Sequence, residues 1–272
     1  SPVTDHYREL TIRFREGFSL IFRVYDDGVA YRFATAMKGE VTVTGETFGL
    51  SLPEGATAWY PLEKGFMSHN ECTFYPAAMD TVGQKHLASL PVLFKSQGIN
   101  ILLSEADIRD YPGMWITGDG NGGVSGTFPA YPDKEVKRRD RDVYVTARKD
   151  YLARTAGTRS FPWRVCIITP DDAGLVESDM IYRLGAPSRI ADPSWIKPGK
   201  VAWDWWNANN IYGVDFKSGL NTATYRYYID FASENGIEYV VLDEGWYKLG
   251  NVLSVADGFD IPELCRYASE KK

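Results

Sequence analysis

The sequence predicts a mostly β protein, with an antiparallel sandwich or barrel followed by a shorter segment in which strands and helices alternate. Over roughly the first two thirds of the 272 residues, apolar and polar side chains alternate with a period of two, as in half-buried strands. Glycine and proline interrupt this alternation at short intervals, which is typical of turns between antiparallel strands. Near Ala186 the pattern changes to short apolar runs separated by helical periodicity, which indicates parallel β-α units.

The alternation assigns the individual strands of the first part. Residues 10–14 form one alternating run, and residues 18–24 form a second. The Asp27-Gly28 pair that follows predicts a tight hairpin turn into a third strand beginning at Val29. Shorter strands are predicted at residues 41–44, 92–95, 99–103, 143–147 and 165–168.

The second part reads as two β-α units. Prolines predict a linker over residues 187–199, so we expect a β-sandwich domain over residues 1–186 and a second domain over residues 200–272. Its predicted elements are a strand at 200–203, a helix at 222–234 capped by Asn221 or Thr222, a strand at 239–242 and a helix beginning after Asp260. A complete (β/α)8 barrel takes about 250 residues. We therefore expect the chain to be a truncated piece of a longer protein.

Composition excludes several functional classes. Thirty Lys and Arg against 36 Asp and Glu give a net charge of −6, which argues against binding to nucleic acid phosphates. The one charge-rich run, residues 133–142, mixes both signs and indicates a solvated loop or strand edge. No apolar run reaches the roughly 18 residues of a membrane span. Three widely spaced cysteines make neither a disulfide framework nor a zinc site, and the nucleophile-elbow, Walker A and Rossmann motifs are absent.

Tryptophans and carboxylates follow both strands of the second part. Asp204, Trp205 and Trp206 follow the first strand, and Asp243 and Trp246 follow the second. The carboxyl ends of parallel strands form the active-site edge of α/β sheets and barrels, so these side chains are expected to lie close together. Indole rings stack on sugar faces and carboxylates bind hydroxyls. The alternative is that the tryptophans fill the barrel mouth while the carboxylates cap helices or pair with arginine.

A second cluster of carboxylates lies in the β region. Glu105, Asp107 and Asp110 follow an apolar strand within six residues and could supply oxygen ligands to a cation such as Ca²⁺. A capped turn with a local ion pair to Arg109 explains the same residues without a metal. Glu71 lies in a similar loop, where the same two interpretations apply.

Four segments together resemble glycoside hydrolase family 97. They are YDDGVAYR at residues 25–32, SEADI at 104–108 with YPGM at 111–114, WDWW at 203–206 and DEGW at 243–246. The resemblance extends from about residue 10 to the end of the chain. It implies a β-supersandwich similar to galactose mutarotase, followed by the first two β-α units of a catalytic (β/α)8 TIM barrel.

The resemblance also implies an activity and a cofactor. Enzymes of this family cleave terminal α-linked sugars with the help of Ca²⁺, usually in the periplasm or outside the cell. Glu105 is then the first candidate metal ligand and Glu71 the second, whereas the five residues after the two strands would line the sugar-binding end. The acid and the nucleophile or base come from later barrel strands, so no residue up to Lys272 is assigned a catalytic role.

Three functions remain open at this stage. The WDWW and DEGW segments favour a retaining α-galactosidase acting on an oligosaccharide or α-glycoside. The runner-up is an inverting α-glucosidase of the same family. The alternative from another class is a β-sandwich module that binds carbohydrate or a partner domain and catalyses nothing. The oligomeric state is not predicted.

Overall fold

The structure, a computed structural model, describes residues 3–138 and 142–271. The described residues divide into two compact units, one of residues 3–136 and 143–187 and the other of residues 137–138, 142 and 188–271. No helix within the described ranges is both long and apolar enough to cross a membrane. Part of the predicted charged loop, residues 139–141, lies outside the described residues.

The first unit is dominated by β structure. Its strands are β1 (Arg8–Arg13), β2 (Phe18–Tyr25), β3 (Gly28–Val43), β4 (Gly49–Leu50), β5 (Thr57–Glu63), β6 (Phe74–Ala78), β7 (Leu87–Ala88), β8 (Val92–Ser96), β9 (Ile99–Ala106), β10 (Trp115–Gly118), β11 (Val124–Thr127), β12 (Pro132–Lys137), β13 (Val143–Arg148), β14 (Ala153–Ser160) and β15 (Trp163–Thr169). A 3-10 turn at Met79–Thr81 and two short helices, α1 (Asp172–Glu177) and α2 (Met180–Leu184), complete it.

Within the described residues, thirteen of these strands form one sheet in the order β1-β2-β3-β15-β9-β8-β5-β7-β10-β11-β4. Strand β14 pairs with β3 and β6 with β5, while β12 and β13 form a separate ribbon. The predicted hairpin is confirmed, because Tyr25 pairs with Gly28 across the turn between antiparallel β2 and β3. The separate strand predicted at residues 41–44 is wrong. Those residues mostly continue β3, whose second half pairs with β14.

Both faces of this sheet bury apolar side chains. One core contains Val92, Phe94 and Leu103 together with Ile116 and Val124 from the far end of the sheet, so the strands curve around a shared interior. The other core lies beneath α1 and α2. It joins β-strand residues to these helices, its buried members being Tyr25, Ala30, Ala106, Trp163, Val165, Ile167, Met180 and Leu184. The unit is therefore a large antiparallel β structure with one face covered by short helices.

The second unit contains the predicted β-α units. Its elements are β16 (Val201–Trp203), a 3-10 turn at Asp204–Asn207, α3 (Thr222–Glu234), β17 (Tyr239–Val241), β18 (Tyr247–Lys248), β19 (Asn251–Val255) and α4 (Ile261–Glu270). Strands β16 and β17 are parallel, with Trp203 opposite Val241. Two parallel strands do not close a barrel, so the (β/α)8 barrel that the resemblance implies remains a prediction.

The helices of the second unit begin where the sequence predicts. Thr224 donates its backbone N–H to the Asn221 side chain at 2.9 Å, and Glu263 donates likewise to Asp260 at 2.9 Å. These caps satisfy backbone donors that a helix leaves unpaired at its start. One face of α3 is buried against α4 and the strands, as the helical periodicity predicts. The β18–β19 hairpin was not predicted from the sequence.

Candidate functional site

The candidate site lies at the carboxyl ends of β16 and β17. Trp203 is the last residue of β16, and its indole Nε1–H donates to Asp243 Oδ2 at 2.9 Å, two residues past the end of β17. The other oxygen, Oδ1, accepts the backbone N–H of Glu244 at 2.7 Å. Parallel pairing of the strands therefore fixes this carboxylate beside an indole ring. The pair opens into a cleft of about 340 Å³ that Trp246 also lines.

Two further tryptophans stand next to Trp203. The ring of Trp205 lies 6.4 Å from it at 42°, and the ring of Trp206 lies 5.8 Å away and perpendicular to it. Trp205 is 65% exposed and Trp206 is 81% exposed. Apolar rings with such exposure are available to stack on a ligand. The structure thus places Asp243 and Trp246 with Trp203 along one cleft, and Trp205 and Trp206 against the Trp203 ring.

The fifth residue, Asp204, faces the other way. It is only 2% exposed, and its Oδ2 accepts hydrogen bonds from the Tyr225 hydroxyl and from Asn209 Nδ2, the latter at 2.9 Å. It begins the 3-10 turn directly after β16, so its side chain turns toward α3 while the two tryptophans that follow point outward.

Sequence reasoning missed three residues of this arrangement. Trp203 belongs to the WDWW segment but is not among the site residues predicted from the sequence. Its two-residue spacing from Val201 places both on the same face of β16, and this is the signal that could have identified it. The helical periodicity of residues 222–234 predicts Tyr225 and Tyr228 only as positions on the apolar face of α3. Their hydroxyls bind Asp204 and Asn207, and no signal in the helical periodicity reveals such partners.

The first candidate metal ligand, Glu105, lies in a buried ion cluster of the first unit. Arg164 is 1% exposed at its side chain and binds Glu46 through two hydrogen bonds of 2.7 and 2.8 Å. The same guanidinium donates to Glu105 from Nη1. The Tyr111 hydroxyl donates to Glu46 at 3.0 Å. Glu105 in turn accepts the backbone N–H of Met114 at 2.9 Å, so the cluster ties β9 to the start of β10.

The candidate ligands do not by themselves fit a calcium ion. Among residues 3–138 and 142–271, no group of three or more His, Cys, Asp or Glu side chains is placed to hold a metal. Ca²⁺ takes six to eight oxygen ligands, whereas the Glu105 carboxylate is directed at a guanidinium and a backbone N–H. Glu71 is exposed in the loop between β5 and β6.

The electrostatics of the cluster predict a dependence of stability on pH. Burial raises the pKa of Glu105 from 4.5 to about 6, although Arg164 and the N–H of Met114 act in the opposite direction. The pKa of Glu105 is higher in the folded than in the unfolded chain, so protonation of Glu105 stabilises the folded state. This stabilising contribution is fully present below about pH 4.5. It is lost as the pH rises through about 6, and the loss amounts to roughly 2 kcal/mol.

Urea unfolding between pH 4 and 8 measures this contribution. The free energy of unfolding of Glu105→Gln is expected not to decrease in this pH range. Relative to the original protein, the variant therefore becomes more stable by roughly 2 kcal/mol between pH 4.5 and 7. The matched control is Glu71→Gln, which changes an exposed carboxylate and is expected to follow the original curve. Parallel curves for the original protein and Glu105→Gln would contradict the raised pKa.

Comparison with known proteins gives two family matches that together cover most of the chain. Residues 1–187 match the family model described as Glycosyl-hydrolase 97 N-terminal, and residues 205–272 match Glycoside hydrolase 97. The chain is 38% identical to a protein of Bacteroides thetaiotaomicron named retaining alpha-galactosidase, over 100% of this chain and 43% of that protein. It is 33% identical to a probable retaining alpha-galactosidase of Streptomyces bingchenggensis, over 93% of this chain and 36% of that one.

A solved structure has the same fold. A single-residue variant of a glycoside hydrolase family 97 enzyme from Pseudoalteromonas sp. strain K8 superposes with a TM-score of 0.76 at 26% identity, covering 99% of this chain and 41% of that one. The chain therefore spans less than half the length of these relatives. Since the N-terminal family model alone matches more than half of the sequence, the chain belongs to glycoside hydrolase family 97.

Proposed function

We propose that this chain is part of a retaining α-galactosidase and that the carboxyl ends of β16 and β17 form one side of its sugar site. The observation that carries the proposal is the Trp203–Asp243 pair, set beside exposed Trp205 and Trp206 at the edge where α/β enzymes bind substrate. Similarity to retaining α-galactosidases over the whole chain supports the choice of galactose.

The residues of this edge have separate tasks in the proposal. The exposed rings of Trp205 and Trp206 offer apolar faces to the C–H side of a pyranose ring. The Asp243 carboxylate, already oriented by Trp203 and by the Glu244 N–H, accepts hydrogen bonds from sugar hydroxyls. A fixed acceptor binds a hydroxyl without first having to be ordered, which favours one sugar stereochemistry over another.

The proposal includes a finer fold assignment. The first unit would be a supersandwich of the galactose mutarotase type, and the second would begin a (β/α)8 barrel. Support comes from parallel β16 and β17, where Ala202 and Val240 pack toward the helices while Val201 and Val241 are 45% and 40% exposed on the opposite face. In a barrel that opposite face is interior. The resemblance to the family implies that the acid and the nucleophile belong to later strands of the barrel.

Two further parts of the proposal rest on the family resemblance alone. Calcium assistance would require ligands from outside the described residues, with Glu105 or Glu71 contributing at most one carboxylate each. Calorimetric titration of the full-length protein with Ca²⁺ tests this, and the absence of saturable binding would overturn it. A periplasmic or secreted location is proposed on the same ground, and cell fractionation tests it.

Hydrolysis assays on the full-length protein test the activity. We expect turnover of 4-nitrophenyl α-galactoside with a kcat/KM well above that for the α-glucoside. Asp243→Asn is expected to lower kcat/KM by about 10- to 100-fold, the usual cost of losing a charged hydrogen-bond acceptor. The control is Asp257→Asn, because the Asp257 side chain is 99% exposed and should leave the rate unchanged.

The competing functions give different outcomes in the same assays. Faster turnover of the α-glucoside would support the inverting α-glucosidase, the second function the sequence allows. Saturable quenching of tryptophan fluorescence by galactose, with neither glycoside hydrolysed, would indicate a binding module. An Asp243→Asn variant that keeps full activity would remove Asp243 from the site.

A further inference from the structure

The loop that carries the exposed tryptophans has an unfavourable backbone conformation. After the 3-10 turn Asp204–Asn207, the next two residues, Ala208 and Asn209, have φ of +52° and +57°. Consecutive left-handed conformations at residues other than glycine cost free energy, and they persist only where the surroundings hold them. We call residues 203–210 the tryptophan loop.

Two tyrosines of α3 bind side chains of this loop through their hydroxyl groups. Tyr225 is fully buried and donates its hydroxyl to Asp204 Oδ2. Tyr228, three residues further and on the same helix face, donates its hydroxyl to Asn207 Oδ1 at 2.6 Å. Asn209 Nδ2 donates to the same Asp204 oxygen at 2.9 Å. The loop is thus fixed at its first, fourth and sixth residues after β16.

The Asp204 carboxylate depends on these donors. Its other oxygen, Oδ1, is buried without a hydrogen-bond partner in the part of the chain that the structure describes. A buried carboxylate is costly unless its neighbours donate to it. Burial and the neighbouring Asp204 raise the pKa of Tyr225, so the phenol keeps its proton and remains a donor at ordinary pH.

We propose that Tyr225 and Tyr228 are positioning residues for sugar binding. They act through Asp204 and Asn207 to hold the tryptophan loop so that Trp205 and Trp206 present their rings in a fixed arrangement. Asp204 is then an internal anchor and does not contact the sugar. This inference rests on the proposed function, since it takes the tryptophan loop as part of the sugar site.

The test removes single hydroxyl groups from the full-length protein. Tyr225→Phe and Tyr228→Phe both keep the ring. Tyr228→Phe loses its hydrogen bond to Asn207, whereas Tyr225→Phe loses the one to Asp204 and a longer one of 3.5 Å that the hydroxyl accepts from Asn209 Nδ2. Each is expected to raise KM for 4-nitrophenyl α-galactoside by about tenfold while kcat changes by less than about threefold. The reason is that a disordered tryptophan loop weakens substrate binding more than it slows the chemical step. Tyr227→Phe is the matched control, since Tyr227 lies between them on α3 and is 37% exposed.

A double-mutant cycle separates positioning from a general loss of structure. In a Trp205→Ala/Trp206→Ala background, Tyr225→Phe is expected to have no further effect on KM, because the two indole rings that Tyr225 positions are absent. An equal rise in KM in both backgrounds would overturn the inference. Should Tyr225→Phe fail to fold, as judged by its melting temperature, Tyr228→Phe carries the same cycle.

The remaining outcomes distinguish this inference from the proposed function. A full-length protein that neither binds galactose nor hydrolyses the α-galactoside would overturn the proposed function, and this inference with it. Normal sugar binding and hydrolysis, unchanged in both tyrosine variants, would overturn the inference alone and leave the proposed function standing.

Discussion

Replacing Arg164 with methionine is expected to lower the free energy of unfolding by about 3–5 kcal/mol. The side chains of Arg164, Glu46 and Glu105 are 1%, 4% and 7% exposed, so one guanidinium is the shared ion-pair partner of two carboxylates that water barely reaches. Methionine fills much of the same volume but leaves both carboxylates without their counter-charge. Uncompensated buried charge is among the largest destabilising effects of a single substitution.

Urea unfolding followed by circular dichroism at pH 7 measures the effect of this substitution. The control is Lys95→Met, which breaks an ion pair with Asp172 in which both side chains are well exposed, and the expected change is below about 1 kcal/mol. Adding Glu46→Gln to Arg164→Met should recover part of the loss, since it removes one of the stranded charges. Equal losses for Arg164→Met and Lys95→Met would show that the cluster is not buried as described.

Truncating Trp163 to alanine is expected to cost a similar amount, about 3–5 kcal/mol. Trp163 is 1% exposed in the core that also contains Met180 and Leu184 of α2, and it is one of the largest fully buried side chains. Two arginines stack on its ring, with Arg32 Cζ at 4.3 Å and Arg23 Cζ at 5.0 Å from its centroid. Alanine would leave a cavity and remove both cation–π contacts.

The same unfolding experiment includes a matched tryptophan of the same sheet. Trp59 on β5 is 43% exposed, so Trp59→Ala is expected to change the free energy of unfolding by less than about 1.5 kcal/mol. A loss for Trp163→Ala no larger than that for Trp59→Ala would contradict the burial of Trp163 in this core.

Local chemistry made much of the fold predictable. The Asp27-Gly28 turn and the caps at Asn221 and Asp260 are signals within a few residues of the structure they form, and each is found where expected. Helices α1 and α2 were missed because five or six residues are too short to establish a helical period. Their stability comes from packing on the sheet, which the sequence pattern does not display.

The candidate site was predictable in its location but not in its details. Parallel strands bring their carboxyl ends together, so Asp243 and the tryptophans could be placed side by side from sequence alone. The direction of Asp204 depends on the turn after β16, which no periodicity encodes. Likewise, Glu105 pairs with Arg164, 59 residues away, and Arg164 in turn with Glu46, 118 residues away, so neither contact is visible in a local motif.

The stereochemistry of hydrolysis tests the proposed function most directly. The full-length protein would be mixed with 4-nitrophenyl α-galactoside and the anomeric protons of released galactose followed by NMR from the first minutes. We predict that α-galactose appears first, with the β anomer growing in later by mutarotation, because a retaining enzyme replaces the leaving group through two successive displacements. β-Galactose as the first product would contradict retention, and release of no galactose would contradict the α-galactosidase itself.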